Sequence, residues 1–203
     1  MHTRASFPRG LGLALPLILA AGCRLPDNGL GRASEAGEPL RLEKLQVGSV
    51  YGVGSQFKSD GLAFTVSEFD GASGNVEVAQ AVAPPAATPS RPGEKAVDRP
   101  PGRALRLAHA TLGFSGRKVE SLEFEYADRG GPVSLALGDA SRRAEDWIEL
   151  DGQDLGGARV SVRESSIAGV RHGHVLVTSS APIGRFALGG AELDVSALRL
   201  LVP

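Results

Sequence analysis

His172-Gly173-His174 is the string best suited to metal chemistry. On a strand, residues i and i+2 share a face, so both imidazoles could reach one ion. A zinc site needs a third or fourth ligand, and spacing identifies no acidic or Cys partner. The string therefore reads as two polar His near a strand start, and His109 as a lone His at a strand end. Glu123 with Glu125, and Glu149 with Asp151, are spaced as carboxylates on a common strand face. A glycosidase needs two carboxyl groups ~5–9 Å apart. Each pair flanks apolar residues in regular alternation, the pattern of a solvated sheet face. Calcium wants six to eight oxygens, several of them carboxylate. Asp70-Gly-Ala-Ser-Gly-Asn75 and Asp151-Gly-Gln-Asp154 each supply at most two carboxylates, so both read as metal-free turns. A serine-hydrolase elbow requires G-x-S-x-G. Gly71-Ala72-Ser73-Gly74 and Gly113-Phe114-Ser115-Gly116 do not fit, and read as loop glycines. No P-loop, dinucleotide fingerprint or HExxH helix occurs. No metal and no cofactor is expected.

The remaining candidates suit ligand contact. Arg142, Arg143 and Asp146 lie in a polar stretch, 139–146, that reads as a loop leading to Trp147, the single Trp. Arg and Asp could grip a polar ligand, and Trp147 could stand at the rim of a site or belong to the core. The other aromatic residues, two Tyr and seven Phe, mostly occupy apolar strand positions.

Strands must position these groups. LAFTVSEF (62–69) alternates Leu62, Phe64 and Val66 with polar or small residues. NVEVAQAV (75–82) sets Val76, Val78 and Val82 on one face. KVESLEFEYA (118–127) sets Leu122, Phe124 and Tyr126 against Glu123 and Glu125. Further runs cover 104–109, 132–137, 146–150, 158–164, 173–179 and 191–202. Period-two alternation bounded by Gly, Asp, Pro and Ser marks half-buried strands. Asp128-Arg129-Gly130-Gly131, Asp151-Gly152, Gly156-Gly157 and Gly189-Gly190 are expected turns. Runs recurring every 10–15 residues without an amphipathic helix predict an all-β antiparallel sandwich or jelly roll. Residues 83–103 carry six of the 13 Pro and read as a long exposed loop between two strands.

Of 203 residues, 42% are hydrophobic and 22% charged, with net charge −1. Phosphate binding needs clustered basic excess, so nucleic acid is not an expected partner. One Cys excludes an intramolecular disulfide framework. At the N-terminus, Arg4 and Arg9 precede an apolar run from Leu11 to Ala21, then Ala20, Ala21 and Gly22 before Cys23. The run is too short to span a ~30 Å hydrocarbon core and fits a cleaved secretory signal over 1–22. Without it the chain carries 20 basic and 23 acidic residues, a net charge of −3. Residues 23–40 read as a tether and 41–203 as one sandwich domain.

Small residues directly before Cys23 resemble the lipobox of bacterial lipoproteins. That resemblance implies acylation of Cys23 and anchoring in the cell envelope. Arg24 stands where Asp would retain a lipoprotein at the inner membrane, so outer-membrane placement is implied in a cell that has one. A second resemblance lies in the C-terminal half. Phe124-x-Tyr126-x-Asp128-x-Gly-Gly131, Val133-x-Leu135-x-Leu137-Gly138-Asp139, Leu155-Gly-Gly157-x-x-Val160-x-Val162 and Phe186-x-Leu188-Gly-Gly190-x-Glu192-Leu193 follow in order. Together they resemble secreted, often surface-anchored bacterial proteins with a galactose-binding-like jelly roll, over roughly residues 45–203. The last motif there tends to read G-G-Q-E-L, then an aromatic, an aliphatic and Asp-Asn. Here Ala191 replaces the Gln, Asp194 the aromatic and Ser196-Ala197 the Asp-Asn pair, and Pro132 stands where Asn is usual. The resemblance implies a fold and, in such proteins, often carbohydrate binding at loops on one end.

The sequence thus leads to an envelope-anchored β-domain of binding type, not an enzyme, with a glycan as the first expected ligand. The alternative is a structural or assembly lipoprotein holding a protein partner through a sheet edge or the Pro-rich loop.

Overall fold

The computed structural model describes residues 38–39, 42–81 and 102–201, and these are all-β and mostly antiparallel. The signal segment, Cys23, most of the tether and residues 83–101 lie outside the described residues, as does Val82. The strands are β1 (Glu38–Pro39), β2 (Val50–Gly52), β3 (Gln56–Ser59), β4 (Leu62–Glu68), β5 (Asn75–Gln80), β6 (Arg103–Asp128), β7 (Val133–Leu137), β8 (Ala140–Ala144), β9 (Asp154–Leu155), β10 (Ala158–Ile167) and β11 (Val170–Leu201). No α-helix occurs among the described residues.

Two strands organise everything else. β6 and β11 bend and pass through both layers of a sandwich-like body. In the broad layer the order is β2, β5, the start of β6, the end of β11, the end of β6, the start of β11, β10 and β9. In the second layer it is β3, β4, the middle of β6, the middle of β11, β7 and β8. The runs 104–109 and 118–127 are therefore one continuous strand, as are 173–179 and 191–201.

The bend in β6 has a local cause. Leu105 and Leu107 point inward, but after His109 the buried residues are Ala110, Leu112 and Phe114. His109 has φ +48°, and one extra residue in the left-handed region inverts which face is buried. At that residue β6 changes partner from β5 to β4. Ala197, at φ +48°, does the same in β11 between Val195 and Leu198.

One contiguous core fills the space between the layers. Leu62, Phe64 and Val66 of β4, Val76 and Val78 of β5, and Leu122, Phe124 and Tyr126 of β6 are buried, as the alternation predicts. Tyr51, Phe57, Phe64, Phe114 and Phe186 form a chain of ring contacts with centroids 4.1–5.9 Å apart.

Four local expectations are corrected. The stretch 139–146 is not a loop: Ala140–Ala144 form β8 against β7, because Ala140 and Ala144 pack inward while Ser141, Arg142 and Arg143 remain exposed. Residues 146–150 are not a strand. Asp146 accepts from the Glu149 N–H at 3.2 Å and caps a short 3-10 helix, Trp147–Leu150, so Glu149 and Asp151 share no strand face. Gly189 and Gly190 make no turn but lie inside β11, where a side chain at 189 would strike Ser134 and Phe69. Gly113 and Gly116 likewise lie inside β6. The strands flanking the Pro-rich segment are direct neighbours, β5 and β6, with Arg103 already inside β6.

Candidate functional site

Two adjacent rungs of the broad layer build the site. Side chains directly opposite one another in antiparallel pairs share a face. On one rung Ala79, Ala104, Ser196, Glu125, His174 and Arg163 follow across β5, β6, β11, β6, β11 and β10. On the next stand Glu77, Arg106, Asp194, Ala127, His172 and Ser165. Their neighbours Leu105, Phe124, Val175 and Val195 face the core, so these rungs face away from it. Ala104, Ala127 and Ser196 keep the middle low, and longer side chains rise beside it. The result is a groove of about 400 Å³.

The polar groups of the groove differ in how they are satisfied. Asp194, with 6% of its side chain exposed, accepts from Arg106 Nε at 3.0 Å and from Arg129 Nη2 at 2.8 Å. The hydrogen bond to Asp194 raises the Arg129 pKa above its ordinary value. Arg106 also approaches Glu77, at 3.7 Å. His174 Nε2 lies 2.6 Å from Glu123 Oε1. An ionised carboxylate only accepts, so Nε2 carries the proton there. The Tyr126 hydroxyl donates to Glu164 Oε2 at 2.6 Å, and burial, followed by this bond, pushes the Tyr126 pKa upward. Glu125, half-buried, and Arg163, exposed, make neither a side-chain hydrogen bond nor an ion pair among the described residues.

His172 and His174 do share a face, and carboxylates meet them: Glu125 is the direct cross-strand neighbour of His174, and Glu123 binds its ring. Glu123 and Glu125 lie on the outer sheet face. No group of three or more His, Cys, Asp and Glu side chains is arranged to hold a metal ion among the described residues. His109 is exposed at the bend of β6.

The other candidates lie elsewhere. Trp147 is 0% exposed and packs against Phe124 and Tyr126, with centroids 5.3 and 5.5 Å away. Of the two places open to this ring, the rim of a site or the core, it takes the core, because the 3-10 turn directs the indole inward. Its Nε1 has no hydrogen-bond partner. Asp146 caps that turn and pairs with Arg171 at 3.2 Å. Arg143 is exposed and pairs with Asp70 at 3.1 Å, while Arg142 is exposed on β8. Asp151 Oδ1 accepts from the Val162 N–H at 2.8 Å and Asp154 Oδ1 from the Gly157 N–H at 3.1 Å, so both carboxylates tie down turns.

Sequence reasoning missed the groove itself. Its members come from residues 77 to 196 and meet only through the partner changes of β6 and β11. The available signal was small residues, Ala104, Ala127 and Ser196, at outward positions of otherwise charged strands. No family model matches the chain, and no curated protein matches it either.

Proposed function

We propose that the protein is a lipid-anchored cell-envelope protein whose sandwich, of the galactose-binding-like jelly-roll type, serves as a non-catalytic module that binds carbohydrate. The observation that carries this reading is the sheet-face groove, an alanine floor edged by Arg, Glu, His and Ser side chains. Sugars present C–H faces that pack on small aliphatic groups and hydroxyls that pair with planar polar side chains. Pockets that combine an apolar lining with a few fixed polar groups are the usual form of a small-molecule site. Asp194 and His174 are held by Arg106, Arg129 and Glu123, so they are oriented before any ligand arrives, which lowers the entropy lost on binding.

Titration of the purified protein with a panel of mono- and disaccharides, read by amide chemical shifts, tests the reading. Shifts at Glu125, Arg163, His172 and Ser196 are expected, and silence across the panel overturns it. Anchoring is tested separately. Cys23→Ser should abolish labelling by a radioactive fatty acid and release the protein from the membrane fraction.

A second reading, an assembly protein holding an envelope partner by a sheet edge, rests on Val47, Val50 and Val53. They are 51%, 60% and 39% exposed around β2, which ends the strand order of the broad layer. An unpaired edge with apolar side chains favours strand addition. Val50→Lys would abolish such capture and leave sugar binding intact. The other route to a partner, the Pro-rich segment, lies outside the described residues.

A further inference from the structure

Resting on the carbohydrate reading, we infer that the groove selects a sugar bearing a free ammonium group, an amino sugar without its acyl group, and that Glu125 is the residue that recognises it. Three carboxylates line the groove: Glu125, Glu164 and Asp194. Asp194 is saturated by two guanidinium groups. Glu164 accepts a hydrogen bond from the neutral Tyr126 hydroxyl. Glu125 has no donor and no cation among the described residues, although it is half-buried between Ser196 on one side of its rung and His174 on the other.

His174 cannot serve as that cation without releasing Glu123, to which its Nε2–H is committed at 2.6 Å. Arg163 stands one place further along the same rung, beyond His174, and is exposed at the end of the groove. With Arg106 and Arg129 both held on Asp194, Glu125 is the carboxylate left without a cation over the floor, and Arg163 stands at one end. A carboxylate drawn partly out of water without a counter-charge is costly, and a ligand ammonium restores the lost interaction. An uncharged hydroxyl at the same place makes a weaker bond, since a hydrogen bond with both partners ionised is stronger than a neutral one. An acetamido group has no charge and adds bulk over a floor set by Ala104, Ala127 and Ser196. The hydroxyls of the ring have Ser165, Ser196 and His172 within the same lining.

The test compares glucosamine, glucose and N-acetylglucosamine on the full mature protein, in buffer that keeps the amine protonated, by calorimetry and amide chemical shifts. Glucosamine should bind about tenfold or more tightly than the other two, the usual gain of a charge-assisted bond. Glu125→Gln should reduce that preference to about twofold or less. Arg163→Gln, at an exposed position with no side-chain hydrogen bond or ion pair among the described residues, should enlarge it by removing the repelling charge. Equal affinities for the three sugars would overturn the inference and leave carbohydrate binding standing. Shifts from glucosamine centred away from Glu125 would do the same. If none of the three binds, the inference fails, and if the wider saccharide panel is silent too, the carbohydrate reading fails with it.

Discussion

The Tyr126 ring occupies the space that a side chain at residue 173 would fill, and across Gly173 its hydroxyl reaches Glu164 on β10 at 2.6 Å. Three strands are thereby tied by one phenol. Gly173→Ala forces a methyl against the ring. It should cost about 1–3 kcal/mol by overpacking, measured as a fall in the urea midpoint.

The same phenol sets an alkaline limit. Burial and the Glu164 bond raise the folded-state pKa of Tyr126, whereas an unfolded tyrosine titrates near pH ~10. The folded state holds the proton more tightly, so this contribution is fully present below that pH and is lost as pH rises above it. Melting temperatures should fall above about pH 10. Tyr126→Phe should lose about 1 kcal/mol at pH 7 through the missing hydrogen bond, yet show a flatter profile in alkali. An unchanged alkaline profile in the variant would contradict the assignment.

Trp147 makes the core's largest single deposit of ring surface, but its buried N–H is unpaired. Trp147→Ala should cost about 3–5 kcal/mol through the cavity it leaves. Trp147→Phe keeps much of the contact with Phe124 and Tyr126 and removes an unsatisfied donor worth about 1–3 kcal/mol. The Phe variant should therefore retain far more stability than the Ala variant in denaturant titrations.

Asp194 joins residues from opposite ends of β6. Arg106 and Arg129 meet on its carboxylate because the end of β11 runs between the two stretches of β6. Asp194→Asn preserves shape but removes the charge, and about 2 kcal/mol should be lost on chemical unfolding. Glu125→Gln, where no internal partner is given up, should change stability much less in the same assay.

Ala168 is the one residue in its turn that strains the backbone. Ile167 and Val170 pair across Ala168 and Gly169, at φ +51° and +81°. Two-residue hairpins of this type prefer Asn-Gly or Gly-Gly, and a left-handed Ala costs ~1–2 kcal/mol. Ala168→Asn should raise stability by about 1 kcal/mol, visible as a higher melting temperature.

Elements governed by local alternation were legible from the residues alone. Leu62-Phe64-Val66 and Leu122-Phe124-Tyr126 face inward because a half-buried strand needs apolar residues at every second place. The expected turns at Asp151-Gly152 and Gly156-Gly157 carry positive φ at their glycines. What local reading missed depended on distant partners. Gly189 and Gly190 look like a turn in isolation, but Ser134, Phe69 and Leu193 crowd them, which explains why no side chain is present. Arg142 and Arg143 looked like loop charges because neither hints at β7 alongside. The groove was hidden for a similar reason: Glu125, His174 and Ser196 look unrelated until the second pairing of β6 with β11 sets them on one rung.

Sharing β6 and β11 between both layers also constrains when the protein can fold. Neither layer has its central strands until residues 170–201 are present to pair with 103–128. No early segment can settle into a durable half, and contacts this far apart in sequence close slowly. The two layers therefore close together, and only once the last strand is available to both.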